Sequence, residues 1–134
     1  MTVIGFALLY LGAANAFLAM NLGTCTQNAA DELGGGVLSL GLYLTSVICL
    51  NFARPIRIAY LAILPLVLPF WWQVSFSIRF AYGYLVKDMS ACEVLHNLPY
   101  ELDGREAFFT GLWTASCLVL LLGLPIAFYR ARSL

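Results

Sequence analysis

Four stretches of this chain run for the length of a bilayer crossing without a charged side chain. A hydrocarbon core about 30 Å thick takes roughly 20 residues of helix to span. The first stretch, 2–22 (TVIGFALLYLGAANAFLAMNL), lies well before the first acid, Asp31. The second, 37–53 (VLSLGLYLTSVICLNFA), sits at the short end of the spanning range of about 17 to 25 residues. The third, taken as 58–80, has no charge before Arg79 but contains Pro65 and Pro69. Each proline removes a backbone donor and presses on the preceding turn, so a kink is expected there without a break. The fourth, 107–129 (AFFTGLWTASCLVLLLGLPIAFY), carries Pro125 in its last turns and is closed by Arg130. A spanning strand would be about 9 to 11 residues of alternating polarity, and these runs are too long and too uniformly apolar for that.

The expected fold is therefore all-α: one transmembrane domain over 1–134, a four-helix bundle with outer loops at 23–36 and 87–106. Composition agrees, since 62% of residues are hydrophobic and 10% charged, against about 25% charged in soluble domains. Seven acids and seven bases cancel, which leaves no excess positive field to hold nucleic acid. The polypeptide outside the spans is too short for a separate catalytic domain.

Orientation follows from the bases in short loops. Arg54 and Arg57 lie between the second and third spans, and Arg130 and Arg132 follow the fourth; Lys87, Arg105 and all seven acids fall in the opposite loops. Both termini are thus expected on the cytoplasmic side, in a membrane of the bacterial inner type. Tyr82, Tyr84 and Trp113 are expected in an outer aromatic belt. Ala14-Asn15-Ala16 resembles a signal-peptide cleavage site, but the stretch lacks a basic n-region and stays apolar past Ala16, so it is read as retained.

Two short helices are expected in the outer loops. Thr24 stands three before Gln27, and Ser90 three before Glu93, the reciprocal capping pattern of a helix start. The first (CTQNAADEL) is expected to stop at Gly34-Gly35-Gly36, and the second (ACEVLHN) before Pro99. Asp103 is expected to cap the fourth spanning helix. Cys25 and Cys92 fall at matching places near the two helix starts, and in an oxidising compartment a disulfide between them would staple the loops together. Cys49 and Cys117 differ in depth and are expected to be unpaired fillers.

His96 stands four after Cys92, with Glu93 nearby, but two good ligands fall short of the four of a structural zinc site; no metal is expected. No span contains a histidine, the usual axial ligand of membrane haem, and no other cofactor is expected. Membrane thiol oxidases with four-helix cores carry a CxxC pair, absent here, so thiol redox chemistry ranks low.

Arg79 is the one charge placed to enter the membrane. It lies about 22 residues from Arg57, roughly 33 Å at 1.5 Å per residue, and is expected to snorkel to the headgroups. Trp72, Phe76, Phe80 and Tyr84 repeat at intervals of four and are taken as a partner-contact surface. Gly12 with Ala16, Gly41 with Thr45, and Gly111 with Ala115 form small-residue pairs that let another helix approach. With no embedded acid and no nucleophile and base on one face, the chain is read as non-enzymatic. It is expected to act by helix packing, as an accessory or scaffold subunit or an inhibitor or immunity-type partner, alongside lipid and other membrane subunits or itself. The competing reading is a small dimeric transporter or channel lined by Asn15, Gln73, Ser77 and Arg79.

Overall fold

The computed structural model describes residues 1–22, 29–97 and 106–133, the side chains of 22 and 29–33 aside. Their regular structure is helical, apart from one isolated bridge between Ile56 and Arg132. Four helical rods are long and apolar enough to cross a membrane: Thr2–Asn21, Gly34–Ala53, Arg57–Lys87 and Glu106–Tyr129. The first is α1 (Thr2–Leu22) and the second α2 (Ala29–Ala53). The third is a 3-10 segment (Arg57–Leu66) running straight into α3 (Val67–Lys87). A short α4 (Ala91–His96) follows. The fourth rod is α5 (Glu106–Leu118), a π turn (Val119–Gly123) and α6 (Leu124–Tyr129).

The prolines account for the irregular rods. In a 3-10 ladder the N–H of residue 65 would bond the carbonyl of residue 62, and Pro65 has none to give. The Tyr10 hydroxyl of α1 donates to the Ala62 carbonyl instead. Pro69 sits in the first turn of α3, where the ladder changes from 3-10 to α winding. Pro125 opens α6 just after the π turn, whose wider coil takes up the clash between its ring and the preceding turn. The third rod runs past both of its prolines without a break.

One expectation is overturned at the glycines. Gly34-Gly35-Gly36 does not end a short helix; α2 runs through all three, and no glycine among the described residues has a positive φ. The role of Gly35 and Gly36 is close approach. A Cβ on Gly35 would lie 2.5 Å from the Ala19 Cβ, and one on Gly36 3.1 Å from Leu112. The start expected at Thr24 lies outside the described residues, as do Asp103 and Pro99. At Ser90 the expected cap forms: its hydroxyl accepts from the Glu93 N–H at 3.2 Å.

The rods pack by the same device along their length. Gly5 meets Leu50 and Gly12 meets Tyr43, so α1 and α2 run antiparallel. Gly36 meets Leu112 and Gly123 meets Val47, so α2 and the fourth rod run parallel. Phe80 against Phe109 joins α3 to α5. Leu9, Met20, Tyr43, Phe80 and Trp113 fill the centre. Trp113 is 0% exposed, so it belongs to the core and not to the expected aromatic belt.

At one end of the bundle, four arginines meet. Pro55 ends α2, with Arg54 left-handed at φ 46°. The Arg54 Nε donates to the Arg130 carbonyl at 3.0 Å, and the Arg132 Nε to the Arg54 carbonyl at 2.8 Å. Arg57 N and Arg132 O pair at 3.1 Å, and Arg57 lies over the Phe128 ring. The two basic segments that the sequence assigns to one side are in direct contact. At the opposite end, α4 folds back on the end of α3.

Candidate functional site

Two places carry chemistry: a polar knot inside the bundle and a cavity at its α4 end. In the knot, the Tyr43 hydroxyl of α2 donates to Gln73 Oε1 of α3 at 2.7 Å. Gln73 and Ser77 are one turn apart on α3 and both buried. Gln73 Nε2, Ser77 Oγ and the Trp113 indole N–H are buried with no hydrogen-bond partner. Each such group costs about 1–3 kcal/mol when left unpaired, so they are expensive features of the core. Gln73 Nε2 and the indole N–H can only donate, while the Ser77 hydroxyl can donate or accept, so the knot could hold a group that accepts hydrogen bonds. Among the described residues no group of three or more His, Cys, Asp or Glu stands together as a metal site would require.

The four polar-path candidates are not brought together. Gln73 and Ser77 share the knot. Asn15 sits in the seam between α1 and α2, where its amide donates to Ser39 Oγ at 2.7 Å and to the Gly35 carbonyl at 3.0 Å. Arg79 is on the exterior, its guanidinium 5.2 Å from the Phe76 ring centre.

Of the expected partner-contact row, Trp72, Phe76 and Phe80 make ring contacts within the chain. Phe17 of α1 meets Trp72 at 5.1 Å, Trp72 meets Phe76 at 4.7 Å, and the chain of rings continues through Phe80 and Phe109 to Trp113. Phe80 is 1% exposed, so it is core; Trp72, Phe76 and Tyr84 are half-buried. The exposed face of this rod is instead Leu61, Leu64, Leu68, Trp71, Ile78, Tyr82 and Leu85. Spacing of three and four in that series was the available signal.

Two residues passed over in the sequence shape the α4 end. Glu106, at the start of α5, is buried, and its carboxylate accepts from the Ala91 N–H at 3.3 Å, serving an N-terminal donor of α4. Gly83 lets α4 lie against α3, since a Cβ there would stand 2.8 Å from Val94 Cγ2. Beside this contact is a cavity of about 470 Å³ lined by Ile78, Arg79, Tyr82, Gly83, Lys87, Met89, Glu93, Val94 and Asn97. Lys87 Nζ lies 5.4 Å from the Tyr82 ring centre. Two backbone acceptors at this end are occupied: Asp88 and Met89 N–H both bond the Gly83 carbonyl, and Asn97 N–H bonds that of Glu93.

Cys49 and Cys117 are free thiols. Cys92 is buried and engaged, while Cys25 lies outside the described residues. Set against protein-family models, curated proteins and solved structures, the chain matches none of them.

Proposed function

We propose that this chain is a non-enzymatic integral membrane protein that works by helix packing, as an accessory or interaction subunit of a membrane complex. The observation that carries this reading is which small residues the fold leaves unused. Gly5, Gly12, Gly35, Gly36 and Gly123 each sit against a neighbouring helix, but a Cβ on Gly34, Gly41 or Gly111 would meet nothing within 4 Å. Gly41 and Thr45 are exposed together on α2, which is a seat for a further helix in lipid. The bilayer is of the bacterial inner-membrane type, with the arginine end cytoplasmic and α4 outside. There Cys25 and Cys92 form a disulfide; that Cys92 is engaged while Cys49 and Cys117 are free supports it.

Purification from the native membrane in mild detergent tests the reading, with identification of co-purifying chains. A stoichiometric membrane partner that Gly41→Leu removes is the expected result. A chain that purifies alone and drives solute flux in liposomes overturns it. That second outcome is the dimeric transporter reading, favoured by one observation, the unpaired donors of Gln73 and Ser77.

A further inference from the structure

We propose that the cavity between the end of α3 and α4 binds the phosphodiester headgroup of an anionic lipid. The inference rests on the rods crossing a bilayer, and depth is its first argument. From Arg57 the 3-10 segment rises about 2.0 Å per residue and α3 about 1.5 Å, so Arg79 lies about 39 Å along the rod. That exceeds the hydrocarbon thickness of about 30 Å and falls within the 40–45 Å that includes headgroups. Gly83 follows one turn further on, at about 45 Å, which an average tilt of about 20° brings to about 42 Å, so the cavity opens at the outer edge of the headgroup layer.

Charge is the second argument. The lining carries two bases, Arg79 and Lys87, and one acid, Glu93. The surplus is one positive charge, which a phosphodiester monoanion neutralises. Both cations lean on aromatic rings, Arg79 on Phe76 and Lys87 on Tyr82, which holds the long side chains beside the opening at reduced entropic cost. The carbonyls of the two helix ends oppose an anion; those of Gly83 and Glu93 are hydrogen-bonded, and against the others the attraction rests on Arg79 and Lys87.

Shape is the third. Ile78, Met89 and Val94 give the cavity an apolar wall, and Ile78 and Tyr82 are exposed on the same rod as Leu85. A ligand held here meets charge at one end and an apolar surface at the other. A glycerophospholipid has that division, and a free phosphate ester has only the charged half.

The test uses the full chain in nanodiscs of phosphatidylcholine doped with phosphatidylglycerol. Lipid retained through gentle delipidation is counted by native mass spectrometry. Wild type is expected to retain phosphatidylglycerol in preference to phosphatidylcholine, the preference falling about fivefold for each cation lost in Arg79→Gln and Lys87→Gln. The charge-keeping Arg79→Lys with Lys87→Arg keeps it. Because folding failure would mimic loss, the wild-type preference is also followed against salt and is expected to fall as salt rises. No preference in wild type, a preference indifferent to salt, or one unchanged in the double glutamine variant overturns the site. Competition by soluble glycerol phosphate overturns the lipid and reassigns the site to a free phosphate ester. A chain that carbonate washing strips from membranes refutes the membrane reading itself, whereas an embedded chain without the preference refutes only the site.

Discussion

The Tyr10 hydroxyl donates to the Ala62 carbonyl, the acceptor that Pro65 leaves bare in the 3-10 segment. One side chain on α1 thus repairs a gap made by a proline on another rod. In lipid the repair matters more than in water, because no solvent would otherwise serve that carbonyl. Tyr10→Phe is expected to lower stability by about 1 kcal/mol. In a Pro65→Ala background, where residue 65 regains its N–H, the same change is expected to cost close to nothing. A double-mutant cycle on unfolding in detergent measures the coupling; equal losses in both backgrounds would refute the link.

The glycines separate into inward and outward sets with different expected costs. Gly35→Ala drives a methyl to 2.5 Å from the Ala19 Cβ, and overpacking of this kind costs about 1–3 kcal/mol. Gly41→Ala meets nothing within 4 Å and is expected to leave the isolated chain within about 0.5 kcal/mol of wild type. Thermal unfolding of the two purified variants checks both. A Gly41→Ala as damaging as Gly35→Ala would place that face inside the bundle.

The Tyr43 and Gln73 pair is expected to behave asymmetrically. Tyr43→Phe leaves Gln73 Oε1 without its donor while Nε2 is already unpaired, at a cost of about 1–3 kcal/mol. Removing both polar groups, in Tyr43→Phe with Gln73→Leu, is expected to recover most of that loss, since an apolar pair of similar shape strands nothing. Chemical denaturation of the three variants reads it. If the double variant is worse than Tyr43→Phe alone, the knot is held by partners beyond this bond.

The rods themselves were legible because lipid demands about 20 apolar residues whatever the packing, and the Ser90 cap because it is local. Facing was not legible. Spacing by four places Trp72, Phe76 and Phe80 on one side of a helix, but in a chain apolar all round it does not say whether that side meets lipid or protein. Hydropathy separates inside from outside only in water. Trp113 was misplaced for the same reason. Gly34-Gly35-Gly36 was read as an end because glycine stops helices in water, yet Gly35 and Gly36 supply the close approach of α2 to α1 and α5. The cavity escaped because it depends on how α4 returns to Gly83, a contact that no sequence pattern marks.

The proposed bridge between Cys25 and Cys92 makes the final prediction. Of the chain's four cysteines, the two free ones, Cys49 and Cys117, are expected to take up alkylating reagent in denaturant without reductant, and the other pair only after reduction. Intact mass reads the count directly. Loss of the bridge removes a constraint on the unfolded chain that contributes typically about 2–4 kcal/mol for a long loop, so reductant should lower the unfolding midpoint. Cys25→Ser is expected to lower it equally and to abolish any further effect of reductant. Alkylation of all four cysteines without reductant, in protein taken from an oxidising compartment, would refute the bridge, and with it the support it lends to placing α4 on the outer face.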